Sequence, residues 1–317
     1  MHYRSERARG FTLVELLFTI AIIFLIMGLL LGGIRHVMKF VKGTGDAAMV
    51  QAVKSGVTQF SQTFGFAPPL VKDGVTGFSE GTPPIGPLTT TGEIKPVVYT
   101  VVRATELNFL RFADPAGTGS MSPNFGARDG RFSLYSIPYF VMGSLDVDGV
   151  PGPGFRAAKR DGSFEKSGRT FNPFFDPKGN SNAVVDTLPG TGRIELRDAH
   201  GVAIRYYRWK QGRLYGANYE VKTLADMNIP WMLGDANANA GLKSADYAIV
   251  AAGPNGLFGD EFLLPAGPGS PPSAHPQWMS GADFMTKLGR SGNTPGPDDI
   301  AAAMADNIVV VGTEAGR

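Results

Sequence analysis

The stretch GFTLVELLFTIAIIFLIMGLLLGGI, residues 10–34, decides how the rest of this chain is read. Arg4, Arg7 and Arg9 precede it against a single acid, Glu6, and from Phe11 to Ile34 only Glu15 carries a charge. At about 1.5 Å per residue the apolar run reaches roughly 36 Å, enough to cross a hydrocarbon core of about 30 Å with some tilt. A signal-peptide core is shorter, roughly 7 to 15 residues, and no small-residue A-x-A site follows this one. The sequence therefore predicts a retained membrane helix. Basic residues ahead of it keep the leader cytoplasmic and place everything after Ile34 across the membrane.

Glu15 needs its own account, because a carboxylate in a membrane span costs about 2.5 to 3.5 kcal/mol on insertion scales and usually marks function. Gly10, Phe11, Thr12, Leu13, Val14, Glu15, Leu16 and Leu17 resemble the prepilin junction in full: a Gly, then Phe-Thr-Leu-Val, then a Glu five positions after the cut. The resemblance is to the type IV pilins and the pseudopilins of type II secretion. It implies cleavage between Gly10 and Phe11 by a prepilin peptidase, N-methylation of Phe11, and a contact in assembly from Glu15 to the Phe11 amine of a neighbouring subunit. Buried ion pairs seldom add much net stability, so register between subunits is the expected gain. The alternative for this segment is an ordinary single-pass anchor that happens to carry a Glu.

Beyond Ile34, Arg35, His36, Lys39 and Lys42 fit the far interface, and Met49, Val53, Val57, Phe60 and Phe64 recur at helical intervals. This predicts one helix over 11–65, amphipathic in its second half, with the Phe60–Phe64 stripe meeting a sheet. Gly32, Gly33, Gly43 and Gly45 predict a bend or local break, since a helical Gly costs about 0.5 to 1 kcal/mol relative to Ala.

The 317 residues include 42 Gly and 23 Pro, about a fifth of the chain against an average near 12%, which predicts long loops. From Pro68 to Pro96, and again from Pro151 to Pro189, turn residues dominate. Residues 66–192 therefore read as a loop-rich insertion, with strands expected at Val97–Val102 and Phe132–Met142. The C-terminal part, 193–317, reads as an antiparallel sheet with strands at Arg193–Leu196, Val202–Trp209, Leu214–Tyr219 and Tyr247–Ala251. The fold class expected is α+β, a long N-terminal helix packed on that sheet, and the family resemblance makes it pilin-like.

Asp198, Ala199, His200 and Gly201, followed by Ile204 and Tyr206, resemble a turn of the major pseudopilins. So does the run Asp246 to Gly256, where Asn255 stands in place of the family's Asp. Asp298, Asp299 and Ile300 resemble the Asp-Ile that closes the pseudopilin loop. In that family the loop holds calcium, so the resemblance offers Asp260, Asp298, Asp299 and the neutral Asn255 as ligands, suited to a hard cation with oxygen donors. The alternative for Asp298 and Asp299 is capping of a helix through Ala301 to Met304. Asp235, Asn237, Asn239 and Asp246 also stand at positions one, three, five and twelve of an EF-hand-like loop, but Ala240 occupies the position that wants Gly.

Charge is balanced, with 30 basic and 28 acidic residues, and no Lys/Arg-rich block suggests nucleic-acid binding. The absence of Cys removes disulfides and thiolate chemistry. The four His show no metal-protease spacing, and no nucleophile elbow or phosphate loop is present, so no enzymatic activity is expected. The expected function is a structural subunit of a type II secretion pseudopilus or a type IV pilus, with prepilin peptidase, sister subunits, an inner-membrane assembly platform and membrane lipid as partners. The alternative is an anchored periplasmic binding module or tip adhesin using residues 66–192.

Overall fold

The structure, a computed structural model, describes residues 13–68, 70, 132–142, 169, 171–179, 183–188, 193–209, 211–212, 229–264 and 277–314. The strands expected at 97–102 and 214–219 lie outside these residues. Helix α1 spans Leu13–Phe64 without a break. Leu, Ile, Met, Phe and Ala fill it, and propagation adds one hydrogen bond for each residue fixed once a helix is under way. Isolated glycines therefore fail to interrupt it, and the break expected at Gly32, Gly33, Gly43 and Gly45 is absent. The helix stops at Gly65, whose φ of 77° and amide bond to the Ser61 carbonyl (2.8 Å) form a left-handed cap that a side chain would strain.

The main sheet has four antiparallel strands in the order β1-β4-β5-β6: β1 is Phe132–Ser133, β4 Arg205–Arg208, β5 Tyr247–Ala251 and β6 Ile308–Gly312. Its register pairs Phe132 with Tyr207, Tyr207 with Ala248, and Ile249 with Val310. A separate ribbon pairs β2 (Val184–Leu188) with β3 (Arg193–Arg197), Val184 facing Arg197 and Leu188 facing Arg193. β2 falls in a stretch expected to be turn. The strand expected over Phe132–Met142 is a two-residue strand followed by a short helix, α2 (Ser136–Phe140). Ser133 Oγ accepts from the amides of Tyr135 and Ser136 at 3.1 and 3.0 Å, which turns the chain out of the sheet there. Three more short helices follow, α3 (Ala240–Ser244), α4 (Gly281–Lys287) and α5 (Pro297–Met304).

The second half of α1 packs on β5 and β6 and buries Met49, Val50, Val53, Val57 and Phe60 completely. Each fully buried side chain of this size removes about 1.5 to 3 kcal/mol worth of apolar surface from water. The top of the stripe lies in the same core cluster as the sheet residues and also meets other aromatics. Phe60 makes edge contacts with Phe64, Phe66, Phe140 and Phe174 at ring separations of 4.8 to 5.9 Å, and Phe64 adds Phe171 at 5.0 Å. At Gly56 α1 approaches its neighbours closely: a Cβ there would lie 2.7 Å from Val141 Cγ1 and 3.1 Å from the Phe174 carbonyl oxygen.

Beneath β4 lies a buried cation. Arg205 Nη1 donates to Asp260 at 2.6 Å and to the Tyr207 hydroxyl at 3.0 Å, and its Nε donates to Gln277 at 2.6 Å. The guanidinium sits between the rings of Phe132 and Phe258, 4.1 and 3.8 Å from their centroids. Burial opposes its charge, but Asp260, Tyr207 and Glu261 more than restore it and hold Arg205 protonated.

Candidate functional site: the N-terminal arm and its root

Between Leu13 and Leu30 every residue of α1 is exposed. The span has a mean hydropathy of 2.8 and none of it is buried. Phe18, Phe24, Leu17 and Leu29 are each 64 to 73% exposed. An apolar surface of this size is not left to water in a monomer and marks a membrane or protein contact. Its length and composition suffice for a membrane crossing. Glu15 lies in the first turn, on the exposed surface, where a carboxylate complements the helix dipole. One turn on, the Thr19 hydroxyl donates to the Leu16 carbonyl at 2.8 Å and to the Glu15 carbonyl at 3.0 Å, so this polar side chain stays satisfied in an apolar environment. Gly10 and Phe11 lie outside the described residues.

The arm is rooted at Asp46, the first buried residue of α1 among those described. Its Oδ1 accepts from the Ala199 amide at 2.9 Å, and its Oδ2 lies 3.5 Å from His200 Nε2. The turn that meets it is the Asp-Ala-His-Gly segment singled out in the sequence. Asp198 Oδ1 accepts from the amides of His200 and Val202, both at 2.9 Å, and Gly201 adopts a φ of 79° that closes the loop. Burial pushes the carboxyls of Asp46 and Asp198 above the ordinary range. Asp46 was not singled out from sequence. Its signal was there, since it precedes Met49, Val50 and Val53 by three, four and seven residues, a polar side chain in phase with the buried face.

At the other end of the domain Glu314 closes the structure. Its Oε1 accepts from the Ala67 amide at 2.8 Å and from Arg208 at 3.2 Å, while its own amide donates to Asp246 at 2.9 Å.

Three of the residues expected to hold calcium, Asn255, Asp260 and Asp299, make other bonds. Asp260 is paired with Arg205. Asp299 caps α5, accepting from the Gly296 amide at 2.7 Å and pairing with Arg290, and these bonds hold its carboxyl below the ordinary range. Asp298 stands beside it in the first turn of α5 and is exposed. The Asn255 side chain accepts from the Leu257 amide at 2.7 Å and donates to the Ala303 carbonyl at 2.6 Å. In the EF-hand-like stretch, Asp235 accepts from the Asn237 amide at 2.8 Å, Asn239 caps α3 through the Leu242 amide, and Asp246 holds Glu314. Among the described residues, no group of three or more His, Asp or Glu is placed to hold a metal ion.

Residues 6–31 match the prokaryotic N-terminal methylation motif, the signature of type IV pilins and pseudopilins. No curated protein and no solved structure matches the chain. The motif makes this a prepilin-type N-terminus, a substrate of prepilin peptidase, and the arm that the helix extends is its membrane anchor.

Proposed function

We propose that the chain is a filament subunit, a pilin or pseudopilin that waits in the inner membrane and assembles through α1. The observation that carries this reading is the arm itself: an 18-residue span of high hydropathy, none of it buried, projects from a folded domain directly after a prepilin junction. In the membrane, lipid covers Leu13–Leu30. In a filament, the same faces pack against the arms of sister subunits, and head-to-tail contacts that do not close into a ring give a fibre. Removal of the leader after Gly10 exposes the Phe11 amine, which is N-methylated and meets Glu15 of a neighbouring subunit. That pairing offsets a charge that is costly in an apolar bundle and fixes the axial step between subunits. The sheet domain then lies on the periplasmic side and forms the filament surface. A pilin-like fold is supported by the packing of one long helix on an antiparallel sheet.

The test is replacement of Glu15 by Ala in the native host. The variant inserts and is processed to a mature chain beginning at N-methylated Phe11, as intact mass shows, but does not enter sheared filaments. Normal incorporation of the variant, or an unprocessed Met1 in the wild type, would overturn the reading.

A further inference from the structure

The resemblance to pseudopilins implies calcium in the segment between β5 and β6, yet the oxygens placed there are bonded to the chain's own nitrogen groups. Lys287, the last residue of α4, donates from Nζ to the Gly256 carbonyl at 2.9 Å. Gly256 has a φ of 66°, and a Cβ there would lie 3.1 Å from that ammonium nitrogen and 3.3 Å from Val202 Cγ2, so the turn and the lysine fit together only around a Gly. Asn255 Nδ2 donates to the Ala303 carbonyl at 2.6 Å, and Asn307 Nδ2 to the Phe258 carbonyl at 3.1 Å. Asp260 holds Arg205, Asp299 holds Arg290 and the Gly296 amide, and Glu261 accepts from the amides of Phe258 and Gly259. Asp298 is exposed in the first turn of α5.

This donor set does not fit calcium, which takes six to eight oxygens at about 2.3 to 2.6 Å. A carbonyl keeps a second lone pair, but an ion on the Gly256 oxygen would lie within roughly 5.5 Å of the Lys287 ammonium at any angle, where like charges repel. An ion on Asp260 or Asp299 would share its carboxylate with a guanidinium in the same way. What draws the segment together is of another kind. Leu257, Phe284, Met285 and Ala303 are buried in a small core of their own, with Phe262 stacked edgewise on Phe284 at 5.0 Å. Lys287 ties α4 to the turn after β5, and Arg290 ties the end of α4 to the start of α5.

We propose that Lys287 and Arg290 close the β5–β6 segment as built-in cations, Lys287 on the Gly256 carbonyl and Arg290 on Asp299, and that the segment takes no calcium. A cation attached to the chain is neither diluted nor chelated, so the domain keeps its fold in calcium-poor medium, where a loop closed by metal opens. The inference does not depend on the filament reading, since it concerns the sheet domain alone.

The experiment melts the full chain in detergent micelles, once with a calcium chelator and once, at equal ionic strength, with calcium at roughly 10 mM, well above the weakest protein calcium sites at about 1 mM. An ion bound only by the folded state would raise the melting temperature. The two melts should coincide, and a higher melting temperature in calcium overturns the metal-free closure. Lys287→Met keeps the apolar stem and removes the donor. Hydrogen exchange in peptides 253–259 and 281–288 should then speed up about tenfold or more, as on losing a hydrogen bond to a charged group, while 247–251 in β5 stays as it is. Unchanged exchange in that variant overturns the part given to Lys287. If Lys287→Met folds poorly, the calcium comparison on the wild type still decides the metal-free closure.

Discussion

Gly56 of α1 packs against Val141, just beyond the C-terminus of α2, so tightly that a single added methyl would sit 2.7 Å from Val141 Cγ1. The Phe174 carbonyl and Phe175 Cβ close the same spot at 3.1 and 3.2 Å. Gly56→Ala should therefore destabilise the domain by about 1 to 3 kcal/mol, the usual cost of overpacking. Gly43, thirteen residues earlier in the same helix by its number, has nothing within 4 Å of the equivalent position. Gly43→Ala should stabilise by about 0.5 to 1 kcal/mol through helix propensity alone. Chemical denaturation of the solubilised chain should show the two substitutions moving in opposite directions.

Removing the cation from the Arg205 site should be among the most damaging single changes in the domain. Arg205→Met leaves Asp260 and Glu261 buried without their main partner, and breaking such a pair costs about 3 to 5 kcal/mol. The double replacement Arg205→Met with Asp260→Leu should recover a large part of that loss, since it leaves no orphaned charge in the pair. The denaturation midpoints of the single and double variants decide the point.

The cap on α5 predicts a pH dependence of its own. Asp299 is held below the ordinary carboxyl range by the Gly296 amide and by Arg290. A group with a depressed folded pKa contributes stability above its unfolded value and loses it as pH falls through the folded one. Asp299→Asn should therefore lower the melting temperature at pH 7, and the difference from wild type should close as pH falls through the depressed folded value of Asp299.

Glu314→Ala should loosen the end of the domain far from the arm. It leaves the Ala67 amide without its acceptor and Arg208 without its partner, a loss of about 1 to 3 kcal/mol. Exchange at residues 66–70 should speed up while exchange at 196–204 stays as it is.

The parts of this fold that were legible from sequence are those whose signal is local. The apolar run at Leu13–Leu30, the stripe from Met49 to Phe60, and β5 from Tyr247 to Ala251 all appear where their patterns place them. The strand expected over Val202–Trp209 shortens to Arg205–Arg208, because Ala203 pairs only as an isolated bridge with Arg197. β2 escaped notice because Val184–Leu188 is a strand by virtue of its partner, not of any alternation of its own. Phe132–Met142 misled because aromatic and β-branched residues suit a strand, whereas two hydrogen bonds to Ser133 Oγ turn the backbone into α2. The candidate site divides in the same way. The arm and Glu15 are written in consecutive residues, while the root depends on Asp46 meeting Ala199, a contact between residues 153 apart in sequence.

The packing of α1 against β6 joins two elements that lie far apart in sequence, Leu13–Phe64 and Ile308–Gly312. Long-range closure of this kind is slow, because loop entropy must be lost before the contact forms. A nascent chain anchored by its first helix holds Met49 to Phe60 without their sheet until Ile308–Gly312 has emerged. Synthesis stopped short of β6 would leave β5 with an open edge and α1 with a bare apolar face, both of which invite aggregation or proteolysis. Ile308–Gly312 thus decides when the helix is covered: until it pairs with β5, the apolar face of α1 stays bare.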